Sequence, residues 1–143
     1  MRTDITFHVL DDAKHPFPDT EEIYRTWIYD ISIAEQRSIS SINYIFCSDE
    51  YLLEINNKYL GHDYYTDIIT FPYKELDDIE SDMYISIDRI TENAVDYGVT
   101  FTDELRRVMA HGLLHLMGYS DKSPEQIDAM RAKEDHYIAL FPK

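Results

Sequence analysis

Apolar residues recur every second position at Ile5, Phe7 and Val9, which predicts a strand over residues 3–10 with His8 on its outer side. The period then lengthens. Ile23, Trp27, Ile31 and Ala34 give one helical face running to about residue 36, entered from the loop at 14–18 through Asp19 and Glu22 as a capping box. Residues 40–47 form a second strand. Ser48 caps a helix to about Tyr59, with Leu52, Ile55 and Tyr59 facing the core, and Gly61-His62-Asp63 stops it. A third strand spans residues 66–73, and Pro72, which has no N–H to donate, puts that end at an edge or terminus. An acidic loop over 75–82 leads to a fourth strand at 83–87 and a short helix at 88–97 closed by Gly98. Thr102 caps the next helix. Asp103 and Glu104 sit in its first turn, where the helix dipole favours negative charge, and Leu105, Val108, Met109 and Leu116 face inward. Ser123, Pro124 and Gln126 open the last helix, whose Ile127, Met130, Tyr137 and Phe141 follow at helical spacing.

These elements fit one domain over residues 1–143, long enough to bury a real core. The single cysteine, Cys47, excludes an intrachain disulfide and a thiolate zinc cluster, and it favours a reducing compartment. No secretory h-region follows Met1-Arg2-Thr3-Asp4, and no apolar run reaches membrane-span length, so the expectation is a soluble cytoplasmic protein without a membrane or disulfide-linked partner. The net charge of −15 argues against a broad nucleic-acid footprint. Its distribution narrows that objection, because Arg106, Arg107, Lys122, Arg131 and Lys133 flank one stretch of the chain as a small basic rim.

That stretch is His111-Gly112-Leu113-Leu114-His115-Leu116-Met117-Gly118-Tyr119-Ser120-Asp121. Residues four apart on a helix lie on the same face, so His111 and His115 can reach one metal ion. Gly118 ends the helix and lets Asp121 return as a third ligand. The spacing is that of the metzincin zinc pattern with two substitutions, Gly112 for the catalytic glutamate and Asp121 for the third histidine. Without that glutamate a peptidase lacks its base. Gly112 costs a helix about 1 kcal/mol against alanine, and close approach of another backbone is the expected reason for it.

The same residues resemble the signature HGxLHLxGYDH of the bacterial YbeY-type endoribonucleases, the rRNA maturation factors. Asn56-Asn57-Lys58-Tyr59 through Thr66-Asp67-Ile68-Ile69-Thr70-Phe71-Pro72 is similar to that family's N-x-x-Y-R…T-[DN]-V-L-S-F-P segment, and Ser81-Asp82-Met83-Tyr84-Ile85 to its G-D-I-x-I strand. The resemblance implies a single α+β domain, with a four-stranded mixed sheet packed with about five helices. It implies one zinc ion per chain held by His111, His115 and Asp121, and single-strand-specific cleavage of RNA in small-subunit rRNA maturation and ribosome quality control. The partners would be single-stranded RNA, the small ribosomal subunit and its assembly factors. Arg106, Arg107, Lys122 and Lys133 are the candidate RNA contacts. The general base is unassigned: a water activated by the metal and Asp67 are the candidates, and Asp67 reads first as a structural cap. The chain departs from the family pattern at Asp121 for histidine, Leu60 for the arginine that follows the tyrosine, and Ser81 for glycine. Two other classes share these features. They are a metal-dependent hydrolase of another substrate, and a non-catalytic ribosome-assembly factor with a structural metal.

Overall fold

Parallel pairing needs long crossovers, and the chain supplies them as helices. In the computed structural model, which describes residues 4–10, 13–74 and 76–142, strand β1 (Ile5–Val9) leads through helix α1 (Glu21–Ala34) to β2 (Ser38–Cys47), parallel to it. Helix α2 (Asp49–Leu60) leads to β3 (Ile68–Lys74), which turns back antiparallel against β4 (Asp78–Ser86), and β4 lies parallel to β2. The order β1-β2-β4-β3 makes a four-stranded mixed sheet, and α3 (Ile87–Tyr97), α4 (Phe101–Leu116) and α5 (Pro124–Ala139) complete an α+β fold with five helices among the described residues. The first residue of the predicted β1, Thr3, and the first of the predicted acidic loop, Glu75, lie outside the described residues.

The two faces of the sheet carry different cores. Ile5, Ile42, Tyr44, Phe46, Ile79, Met83 and Ile85 point to one side and meet Trp27 and Ile28 of α1 and Met109, Leu113 and Leu116 of α4. On the other side Cys47 and Ile69 meet Leu52 and Ile55 of α2. A register shift in β2 between Ile39 and Ser41 lets Ile39 and Ile42, three apart, share the first face.

Several sequence expectations are corrected here. The acidic stretch is mostly strand. Ile79 and Ser81 are buried while Asp78 and Glu80 alternate outward or to the margin, so period-two patterning was masked by the charges. The apolar face of α1 is Tyr24, Trp27, Ile28, Ile31 and Ser32, whereas Ile23 and Ala34 are exposed, because the helix is rotated to bring Trp27 under Phe141. No capping box opens α1: Thr20 is its N-cap and makes no side-chain cap bond, while Glu21 is engaged by His15 and Arg25. Thr100, not Thr102, caps α4 by accepting from the Asp103 N–H. Tyr59 and Ile127 are exposed, and Asn56 takes the buried place on α2. The Ser48 cap, the left-handed Gly61 and Gly98 termini and the full capping box of Ser123 and Gln126 match the sequence reading. β3 is an edge strand, as Pro72 required.

The neighbours of Gly112 are side chains rather than backbone. A Cβ there would lie 2.7 Å from Ile68 Cδ1 and 3.0 Å from Met83 Sδ. The glycine lets α4 sit down on β3 and β4. The β3–β4 turn then reaches the end of α4, where the Leu76 N–H donates to the Leu116 carbonyl at 2.7 Å.

Candidate metal centre and cleft

Helix α4 is 16 residues long and buries Leu105, Val108, Met109, Leu113 and Leu116 against the sheet. Its remaining side faces a cleft of about 850 Å³ whose opposite wall is α5 and whose floor is the start of β3. His111 and His115 sit on that side, one turn apart, with rings 4.4 Å between centroids and nearly perpendicular. After Leu116 the chain turns through Gly118 at φ +101°, a conformation that favours glycine, and Asp121 comes back over the histidines.

The three donors meet at one point. His111 Nε2 and His115 Nε2 are 2.9 Å apart, and Asp121 Oδ2 lies 3.3 and 3.4 Å from them. Ligands held about 2.0 Å from a tetrahedral zinc ion stand roughly 3.3 Å from one another, so the spacing suits a metal of that size. No other group of three histidine, cysteine or acidic donors close enough to hold an ion occurs among the described residues. The second nitrogens fit as well. His111 Nδ1 lies 2.6 Å from Glu134 Oε2, and His115 Nδ1 lies 2.9 Å from the Tyr119 carbonyl. Both acceptors place the ring proton on Nδ1 and leave Nε2 free for a cation.

Behind the three donors are two supporting networks. Glu134, 5% exposed at its side chain, also accepts from Arg107 Nη1 at 2.9 Å, and Arg107 reaches Asp135 at 2.5 Å. Burial lowers the His111 pKa, but the hydrogen bond and charge of Glu134 outweigh it, so the ring holds a proton above the usual histidine range. Glu35, at the end of α1, accepts from Lys133 Nζ at 2.8 Å, from the Tyr119 hydroxyl at 2.6 Å and from the Tyr137 hydroxyl. This ties the turn that carries Tyr119 and Asp121 to both α1 and α5. Burial alone would raise the Glu35 carboxyl; the three donors hold it below the ordinary carboxylate value.

Two carboxyls of the cleft stand apart from the three donors. Asp67, at the mouth of β3, is pushed up by burial and partly offset by His111. Glu104, 4% exposed, is pushed up by burial and by the charge of Asp67. Asp67 therefore combines a cap-like position, its carboxyl favoured by its own and Ile68's backbone N–H groups, with a place beside His111.

The basic rim is narrower than the sequence suggests. Arg107 and Arg131 line the cleft. Arg106 instead lies over the Phe141 ring at 3.5 Å and bonds the Tyr24 hydroxyl, on the core side of α4. Lys133 is held by Glu35, which keeps its ammonium protonated well above the ordinary lysine range. Lys122 is exposed beyond Asp121 and outside the cleft lining. Arg107 is already paired to two carboxylates, whereas Arg131 has no ion pair among the described residues. Of the other histidines, His62 bonds Tyr64 and His136 meets Tyr137 edge-on, both away from the three donors.

Sequence reasoning did not single out Glu134 or assign Glu104 and Arg131 to the cleft. The signals were faint. Glu104 precedes His111 by seven residues, two helical turns on the same face, and Glu134 interrupts the buried stripe of Met130 and Tyr137 on α5.

Known proteins resemble this chain along most of its length. Residues 10–141 match the family model described as Endoribonuclease YbeY. A relative of that name from Cytophaga hutchinsonii is 50% identical over 141 residues, 98% of each chain. Another from Flavobacterium psychrophilum is 51% identical over 121 residues, 85% of this chain and 86% of its own. A solution structure of a Thermotoga maritima protein superposes with a TM-score of 0.65 at 25% identity, covering 95% of this chain and 90% of that one.

Proposed function

Because this chain belongs to the YbeY endoribonuclease family, we propose that it cuts single-stranded ribosomal RNA at the His111–His115–Asp121 centre. It is an endoribonuclease of rRNA processing, a hydrolase of RNA phosphodiester bonds. The observation that carries the assignment of the site is the convergence of three donors, with atoms within 4.8 Å of one another, at the foot of a cleft open to a polymer. The whole of residues 1–143 acts as one metallo-endoribonuclease domain in this reading. Zinc is the metal the donor set favours, with the carboxylate of Asp121 an adequate substitute for histidine.

A bound zinc ion supplies a water of lowered pKa and a positive charge for the phosphoryl oxygens. The chain's own residues do the rest. His111 and His115 present Nε2 while Glu134 and the Tyr119 carbonyl hold their rings. Arg131 and Arg107 at the cleft wall meet the RNA backbone, Arg131 more strongly because no carboxylate among the described residues forms an ion pair with it. Asp67, beside His111 and with its affinity for a proton raised, takes the proton of the attacking water. The chain works in the cytoplasm on the small ribosomal subunit together with its assembly factors, where docking raises the effective concentration of a weakly held substrate. No helix among the described residues is long and apolar enough to cross a membrane.

The test is cleavage of a labelled single-stranded RNA by zinc-loaded, chelator-treated and zinc-restored protein, with a duplex as control. Cutting that is lost with the chelator, returns with zinc and spares the duplex supports the reading. Cutting that persists without metal, or is absent in every metal state, refutes it.

A further inference from the structure

A second groove of about 260 Å³ adjoins the metal cleft, and Ile68 lines both. Its other walls are Leu60, His62, Tyr64, Thr66 and Ile69. Three properties set it apart from the rest of this strongly acidic surface. Its lining carries no carboxylate. Its aromatic wall is preformed: the His62 and Tyr64 rings stack 5.1 Å apart at 18°, joined by a 2.9 Å hydrogen bond between the tyrosine hydroxyl and Nδ1. Its polar rim is open, since the hydroxyls of Thr66 and Thr70 have no hydrogen-bond partner among the described residues.

The loop bearing this wall is held at both ends by one buried residue. Asn56 is 2% exposed; its side-chain amide donates to the Tyr64 carbonyl at 2.9 Å, and its backbone carbonyl accepts from the His62 N–H at 3.1 Å. Tyr64 nevertheless remains 56% exposed. A large aromatic ring fixed in place and left in water is a surface waiting for an apolar face. Leu60 stands on the same groove where the family pattern has arginine, so contact here is by shape and π-surface rather than by charge.

We propose that this groove receives one unpaired base of the RNA, stacked on the Tyr64–His62 pair, while the phosphate of the neighbouring nucleotide lies in the metal cleft. The inference rests on the endoribonuclease reading and extends it. Stacking supplies affinity without cations, which suits a chain of net charge −15, and it is tolerant of sequence because every base has a π-face. The Thr66 and Thr70 hydroxyls are placed to bond the edge of the base. A paired base cannot leave its stack without cost, so the groove itself selects single strands.

The experiment uses a short single-stranded oligoribonucleotide carrying 2-aminopurine, whose fluorescence falls on stacking, with Tyr64→Leu, Tyr64→Phe and His62→Ala variants. Quenching on binding to the wild type is expected. Y64L should lose the quench and bind about tenfold more weakly, as expected for one lost base–aromatic stack. Y64F should keep both, and H62A should be intermediate. Melting temperatures should be unchanged, because both side chains are exposed. If the wild type cleaves RNA and Y64L matches it in quench and affinity, the groove proposal falls and the endoribonuclease reading stands. If the wild type neither binds nor cleaves RNA in any metal state, both fall.

Discussion

Glu134→Gln separates metal-binding support from folding support. The native carboxylate accepts from two donors at once, His111 Nδ1 at 2.6 Å and Arg107 Nη1 at 2.9 Å, in a place only 5% open to solvent. Glutamine keeps the shape but has one acceptor and one donor end, so either the histidine or the arginine meets an N–H instead of an oxygen. Loss of the acceptor behind a ligating histidine typically costs 10- to 100-fold in metal affinity, or about 1.4–2.8 kcal/mol. The stability cost should be smaller than for a fully buried ion pair, about 1–2 kcal/mol, because Arg107 keeps Asp135 and its side chain is 26% exposed. Competition with a zinc-chelating dye at pH 8 should show the affinity loss, and melting of the metal-free protein should show the stability loss. The deficit should narrow towards pH 6. Glu134 holds the His111 pKa up, so protons compete with the metal more in the wild type than in the variant. An affinity within twofold of wild type at pH 8, beside a lowered melting temperature, would show that Glu134 supports the fold and not the metal.

Asp121→Ala should lose zinc while melting close to the metal-free wild type, because the side chain is 39% exposed; Asp121→His should bind at least as well as wild type, and full zinc occupancy in the alanine variant would remove Asp121 from the ligand set. Gly112→Ala gains about 1 kcal/mol of helix propensity but presses on Ile68 and Met83, an overpacking cost of about 1–3 kcal/mol. A net loss near 1 kcal/mol should therefore appear in denaturant unfolding and be reversed by Ile68→Val. Glu35, whose folded carboxyl is depressed below its ordinary 4.5, contributes stability that is present above that pH and lost as pH falls through the folded value. Glu35→Gln should therefore be less stable than wild type at pH 7 and approach it in acid, and parallel stability curves would refute the role. Arg131→Ala should lower the salt dependence of single-stranded RNA binding by a slope of about 0.7, whereas Arg106→Ala, which removes a stack on Phe141, should leave the slope unchanged.

What the sequence made legible was local. Caps at Ser48 and Ser123, glycine termini at Gly61 and Gly98, and the i, i+4 histidines all declare themselves within a few residues, and the structure places them accordingly. Family resemblance added the mixed sheet. Hidden features depended on rotation or on distant partners. The inward face of α1 is set by how Trp27 meets α5, where its Nε1 donates to the Tyr137 carbonyl at 2.8 Å across 110 residues, and the hydrophobic period fixes such a face only to within a residue. Glu80 and Asp82 concealed a strand because charge on one side of a pleat looks like a loop until its buried partners are known. Arg106 and Lys133 looked like free cations for the opposite reason: nothing near them in sequence announces Phe141 or Glu35.

The wall of the cleft formed by α5 has a consequence for the order of synthesis. The histidines lie on α4, but the acceptor behind His111 and the tyrosine and lysine that engage Glu35 belong to residues 133–137. Before α5 docks, the sheet can pair and bury most of its core, yet His111 lacks its Glu134 acceptor and the Asp121 turn is tied only through Tyr119 to Glu35 of the α1 end. The Glu134 acceptor and the Lys133 and Tyr137 ties to Glu35 are added only when α5 docks. The last described helix thus completes the support of the candidate centre after the histidines themselves have been made.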